Sequence, residues 1–334
     1  MARLGLKFPD TDSLPIEDVL DCARAADRAG FESLWMSDYK SGDVFAVLSA
    51  CAVVTERIKL ATGIAVIFNR APTTLAMAAA SLDTISRGRF ILGLGQGHKA
   101  IVENENGGQY DRPLRRLLEY TEIIRELLQN GEVHYRGQVF TLDYQPWIKF
   151  YRDRIPIFWP PLVRAAAERA GRIADGTLST LVTPDRARSL SGWIRQSAAQ
   201  AGRSPNDVDI GAYLWTSVAN DAQSHRAARR LVKRQIAWYI SSLALYANLV
   251  RESGFGEDVD RVVPLWQAGD QEKAIDAVSD ALADAVALIG NLDECRAKIE
   301  TYRAAGIQHP VIYPLPLRPT ETKRAFLAAV ELMR

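Results

Sequence analysis

The chain has 334 residues, 48% hydrophobic and 24% charged, which fits a globular protein with a large core and excludes a disordered or fibrous one. Its 41 basic and 40 acidic side chains give a formal net charge of +1. No overall charge therefore argues for nucleic acid or an acidic membrane surface, and a small molecule is the expected partner.

In chain order, the apolar run at 4–8 predicts a first strand. Turn formers at 9–13 lead into a helix whose apolar positions Val19, Leu20, Cys22, Ala23, Ala26 and Ala29 recur at helical spacing, with Gly30 as its stop. Residues 31–36 predict a strand ending at Ser37-Asp38-Tyr39, 44–54 a helix, and 58–67 a β-branched strand interrupted by Gly63. Pro72 opens the next helix, 76–85 continues it, Arg87-Gly88 ends it, and 89–94 is a fourth strand. After a helix over 115–128, Gly131 and Gly137 mark a small β-hairpin inserted over 131–142. Strand 155–159, helix 163–173, strand 177–181, helix 186–201 and strand 208–218 resume the alternation. From 221 to 289 the pattern is helical, with a loop at 253–257 and no strand. Helix 292–305, strand 310–314 and a terminal helix over 320–333 close the chain.

Eight strands alternating with helices predict an α/β fold, a single-domain (β/α)8 TIM barrel over 1–334. A β-hairpin insertion and a helical lid insertion (221–289) before the last strand complete it. The strand count favours this over a doubly wound sheet. In such a barrel the ligand site lies where strands end, here at residues 8, 38–39, 63–66, 95–98, 159–161, 180, 215–217 and 313.

The corner after the fourth strand concentrates the signal. Gly93, Gly95 and Gly97 remove side chains at alternate positions, so backbone could approach a ligand there, and His98 follows directly. A tight turn carrying a surface histidine is the competing reading. The pattern is Gly-x-Gly-x-Gly-His, not the Gly-x-Gly-x-x-Gly of a dinucleotide fold, and Glu119 lies inside a helix rather than at a strand end. Trp159, Trp215, Trp238 and Tyr239 are candidates for an aromatic pocket or for packing.

Cys22, Cys51 and Cys295 are few, odd in number and far apart, which fits buried thiols in a reducing compartment. No metal-ligand spacing appears. The amino terminus lacks the apolar core of a signal peptide and no apolar run could span a bilayer, so a cytoplasmic protein without membrane contact is expected.

Several segments together resemble the bacterial luciferase-like family, and within it the branch that uses the 8-hydroxy-5-deazaflavin coenzyme F-420, which includes methylenetetrahydromethanopterin reductases. They are Ala29-Gly30-Phe31-Glu32-Ser33-Leu34-Trp35 with Ser37-Asp38, 58–63, Leu82-Asp83 with Ser86 and Gly88-Arg89-Phe90, Tyr110-Asp111-Arg112-Pro113, Glu119-Tyr120 with Arg125, Tyr135 with Gly137, and Ala170-Gly171-Arg172 with Ala174-Asp175-Gly176.

The resemblance implies an oxidoreductase passing a hydride between coenzyme F-420 and a small organic substrate under the helical lid, with a homodimer as its assembly. Two alternatives share the fold: a reduced-FMN monooxygenase served by a flavin or deazaflavin reductase, and a non-catalytic barrel. The resemblance also implies roles. Asp38 would meet the polar part of the ring. The segment Gly63-Ile64-Ala65 would bulge toward it, at a position where the family carries a non-prolyl cis peptide. Gly95, Gln96 and Gly97 would place His98 near the reactive carbon, where a histidine can give or take a proton. Tyr39 stands where the family usually has histidine, as a further catalytic candidate. Trp159, Leu162, Val163, Arg164 and Thr180 would meet the cofactor. The usual glycine-rich phosphate loop is replaced by Trp159-Pro160-Pro161-Leu162-Val163-Arg164, whose prolines remove two N–H donors. Arg164 would supply the missing charge, or the tail is bound differently.

Overall fold

A computed structural model describes residues 3–8, 14–38 and 42–333. Its strands are β1 (Gly5–Lys7), β2 (Ser33–Ser37), β3 (Lys59–Val66), β4 (Phe90–Gly95), β5 (Val133–Arg136), β6 (Thr141–Tyr144), β7 (Ile157–Trp159), β8 (Gly176–Ser179), β9 (Asp209–Val218), β10 (Ala287–Gly290) and β11 (His309–Pro314). Strands β1, β2, β3, β4, β7, β8, β9 and β11 pair in parallel in that order, and β11 returns to β1, closing an eight-stranded barrel with helices between the strands. β5 and β6 form the separate antiparallel hairpin.

Strand alternation sorts the side chains into two cores. Leu6, Leu34, Leu60, Leu92, Ile210 and Ile312 face outward onto the helices. Trp35, Ala61, Ile91, Phe158, Tyr213 and Val311 face inward, continuous with Val232, Ile236 and Leu249 of the insertion above the barrel.

β3 breaks the alternation. Where β2 advances from Met36 to Ser37, its partners on β3 advance from Thr62 to Ile64; where β4 advances from Leu92 to Leu94, β3 runs from Thr62 to Ala65. One extra residue is thus accommodated at Gly63-Ile64, and it reverses the facing of the rest of the strand. Ala61 faces inward and Ala65 outward, while Ile64 and Val66 turn to the barrel interior. No cis peptide occurs among the described residues, so the bulge alone turns Ile64.

The glycine corner has a different reason from the one its spacing suggests. A Cβ on Gly93 would lie 2.0 Å from the Thr62 carbonyl oxygen, one on Gly95 2.4 Å from Ile64 Cγ2, and one on Gly97 2.9 Å from Val66 Cγ1. The absent side chains make room for β3 and, at Gly97, for Val102 as well, while Gly97 alone of the three also borders the cavity. Gly63 likewise lacks a side chain because the Tyr213 hydroxyl occupies that space.

One other expectation changes and two segments gain detail. The 221–289 stretch contains β10, which extends the upper part of β9; at four residues it is too short to show a period. The loop expected at 253–257 is a short kink: Gly254, φ +90°, is non-helical and separates the helical stretch before it from the helix Gly256–Gln267. A short helix, Lys99–Asn104, follows the glycine corner directly.

Several motif carboxylates brace the outside of the barrel. Asp83 holds Arg152 in a two-pronged pair, and Arg152 also donates to the Phe90 carbonyl. Asp175 accepts the Ile157 N–H and pairs with Arg125 and Arg154. Glu119 accepts the N–H groups of Gln138, Val139 and Phe140, tying the hairpin to its helix.

Candidate active site

The C-terminal ends of the barrel strands open into a cavity of about 620 Å³ roofed by the helical insertion. Lys7, Ser37, Ile64, Tyr213 and Tyr313 line its barrel side. Gly97, His98, Ile101 and Val102 form one wall, and Leu231, Gln235, Trp238, Tyr239 and Tyr246 descend from the insertion.

Asp38 borders the cavity at the end of β2 with a fixed carboxylate. It accepts from Arg70 Nη1 at 2.6 Å, from Asn69 Nδ2 at 3.2 Å and from the Val66 N–H at 3.3 Å. Arg70 lies over the Phe45 ring and also pairs with Asp43, which caps the helix Val44–Val53. Helix cap, arginine and carboxylate therefore hold one another in place.

His98 stands in extended backbone at the N-cap of the helix Lys99–Asn104, and its carbonyl accepts the Val102 N–H at 3.0 Å. Burial lowers the pKa of its imidazole below the ordinary 6.5, so the ring is neutral near pH 7. The ring centroid lies 6.3 Å from that of Tyr246, whose phenol burial pushes well up. A neutral imidazole on the wall of a cavity roofed with aromatic rings can accept a proton, and the imidazolium so formed can return it.

Of the other residues expected here, Ile64, Gly97 and Thr180 line the cavity. Gly95 is buried under Ile64, Ala65 packs outward, and Gln96 is half-buried beside Gly97 without lining the cavity. Tyr39 lies outside the described residues. Trp238 and Tyr239 line the cavity, whereas Trp215 packs behind Tyr239 and Trp159 is buried on the helix side, its indole donating to Thr121 at 3.0 Å.

Leu162, Val163 and Arg164 do not line the cavity. The Pro161 carbonyl accepts from Ser179 and that of Leu162 from Arg186, so this loop turns acceptors to its neighbours. Arg164 points outward to Glu168 at 2.7 Å and over Trp193. Lys7, Tyr213 and Tyr246 were not singled out from sequence. A lysine inside the apolar run 4–8 was the available signal for the first, since strand alternation turns it to the barrel interior.

The cavity suits a small molecule with a large apolar surface and a few polar groups. Its volume falls within the range of roughly 300–1,000 Å³ typical of small-molecule sites, and its walls are aliphatic and aromatic with a few convergent polar groups. The loop at 160–163 does not suit a phosphate in the same way, because its prolines supply no donors and its carbonyls are already engaged. Among the described residues, no group of three or more His, Cys, Asp or Glu is placed to hold a metal, and no helix is long and apolar enough to cross a membrane.

A family model described as luciferase-like monooxygenase matches residues 6–309. The 5,10-methylenetetrahydromethanopterin reductase of Methanolobus tindarius is 27% identical over 330 residues, covering 98% of this chain and 99% of its own. The solved coenzyme F-420 dependent tetrahydromethanopterin reductase of Methanopyrus kandleri superposes with a TM-score of 0.85 at 25% identity, over 99% of this chain and 97% of that one. A solved F-420-dependent secondary alcohol dehydrogenase shares the fold, with a TM-score of 0.77 at 19% identity over 100% and 99% of the two chains.

Proposed function

Because the chain belongs to the luciferase-like monooxygenase family, we propose that it is an oxidoreductase passing a hydride between coenzyme F-420 and a small organic substrate in this cavity. The observation that carries the reading is His98, a desolvated neutral imidazole on the cavity wall at the end of β4. Relatives named for coenzyme F-420 favour the deazaflavin over FMN.

The coenzyme, when bound, supplies or accepts the hydride. Ile64, turned inward by the bulge, would support the ring from the barrel side. Asp38, fixed by Arg70, would accept from its polar edge, and Gly97 and Thr180 would border it. His98, neutral at rest, would take the proton that leaves the substrate when it is oxidised, and in the reductive direction would give it back as the imidazolium. Trp238, Tyr239 and Tyr246 would keep water from the reacting atoms.

Fluorescence-quenching titrations should show tighter binding of oxidised coenzyme F-420 than of FMN. Equal or stronger FMN binding would move the reading to a reduced-flavin monooxygenase, and binding of neither to a non-catalytic barrel. Arg164→Ala should weaken coenzyme binding by less than about tenfold, since an exposed arginine shared with Glu168 contributes at most about 1 kcal/mol. A larger loss would place the anionic tail directly on this side chain.

A further inference from the structure

Two polar groups of the cavity lie side by side where its wall meets its roof. The rings of His98 and Tyr246 stand with centroids 6.3 Å apart, and among the described residues neither side chain has a hydrogen-bond partner. Tyr246 belongs to the helix Ala244–Val250 of the insertion, where extended Leu243 interrupts the preceding helix and accepts the Tyr246 N–H at 2.9 Å. Its ring meets Tyr239 edge to face at 4.8 Å, and Tyr239 packs in turn on Trp215 at 5.3 Å, so backbone and neighbouring rings together hold the phenol. Only 6% of the residue is exposed, yet its hydroxyl is not enclosed in the way that the partnerless indole nitrogen of Trp215 is; it opens on the cavity that the ring lines. A phenol so largely withdrawn from water, with no acceptor in the protein, costs free energy that phenylalanine in the same space would not.

We propose that Tyr246 is a further catalytic residue, donating a hydrogen bond to the substrate oxygen whose proton His98 takes, and that the cavity thereby selects molecules with a hydroxyl on the carbon that loses hydride, or the carbonyl formed from it. This rests on the cavity being the active site. In the oxidative direction the C–H bond breaks with its electron pair leaving to the deazaflavin as hydride. The O–H bond breaks with its proton passing to the His98 imidazole, and the pair left on oxygen closes the C=O bond. The oxygen carries negative charge while the proton departs, and a donor already in place stabilises it there. The two groups divide the work by their protonation. Burial holds the imidazole neutral, able to accept, and raises the pKa of the phenol, which therefore donates a hydrogen bond and keeps its proton.

The test uses the full chain and its Tyr246→Phe variant, shown by circular dichroism and thermal melting to be folded, both without coenzyme. Calorimetry compares acetophenone with α-methylstyrene, which has nearly the same shape and carries a methylene group in place of the carbonyl oxygen. Tyr246→Phe should weaken acetophenone binding about fivefold, the loss of one neutral hydrogen bond, and leave α-methylstyrene within about twofold. The infrared carbonyl stretch of bound acetophenone should lie lower in the parent than in the variant, because a donated hydrogen bond weakens the C=O bond. A tyrosine that only packs would change both affinities together and leave the stretch unmoved. Either of those results overturns the proposal, as does failure of the parent to bind acetophenone. If the parent binds no coenzyme F-420, the functional reading fails while the ketone comparison still decides whether Tyr246 holds a ligand oxygen.

Discussion

His98→Ala is expected to lower turnover by about 10² to 10⁴ while leaving coenzyme affinity and melting temperature nearly unchanged. The imidazole borders the cavity and is kept neutral by burial, so it stands ready to take a proton near neutral pH. Backbone anchors the corner: the His98 carbonyl accepts the Val102 N–H, a bond alanine retains. His98→Gln keeps hydrogen bonding but not proton transfer, and should also be slow. In the oxidative direction, where the neutral ring takes the proton, the parent's pH–rate profile should fall on an acid limb below 6.5, because the depressed pKa delays protonation to lower pH, and neither variant should show that limb. Turnover within a few-fold of the parent in both would remove His98 from the chemistry and leave Tyr39 or the substrate itself to supply the proton.

The second large effect concerns stability. Glu119→Ala should destabilise the protein by about 3–5 kcal/mol in chemical denaturation at pH 7. The carboxylate is fully buried, pairs with Arg115 at 2.6 Å and accepts three consecutive N–H groups of the hairpin turn. Alanine would strand those donors, and Gly137, which leaves room for the carboxylate, would then face a void. Burial alone would raise the pKa of Glu119, but Arg115 and the three N–H groups outweigh it and hold the carboxyl below its ordinary 4.5. Its contribution is therefore complete above that value and lost as pH falls through the depressed one, so the variant should also lose part of the parent's acid sensitivity. A change under about 1 kcal/mol would mean that the hairpin is held by its own strands.

The barrel was legible because strands buried on both faces and amphipathic helices leave different local periods, and eight repeats outvote any single misreading. His98, Asp38 and Thr180 were legible as candidates because strand ends are where barrels place their chemistry, and all three border the cavity. The failures depended on partners distant in sequence. The spacing of Gly93, Gly95 and Gly97 says that side chains are missing, but only the paired strand shows that Ile64 and Val66 occupy the space. Trp159 ends its strand as expected, yet its side chain falls on the outward parity. Lys7 was hidden inside an apolar run. The resemblance to a family marked Glu119, Asp83 and Asp175 without saying that their task is to brace hairpin, strand and loop.

The interlock of β3 and β4 also limits how this pocket can change under selection. Enlarging the cavity at Ile64 would empty the space over Gly95, while giving Gly95 any side chain would push against Ile64. Each change is harmful on its own background, and in the pair Ile64→Ala with Gly95→Ala the new methyl fills only part of the space that the isoleucine vacates, which relieves the clash and leaves a larger cavity. New substrate ranges on this wall would therefore be reached through coupled steps, whereas Leu231, Gln235 and Trp238 on the insertion are free of that constraint. Variation among descendants of such a chain should accumulate first on the roof and last on the rungs beneath it.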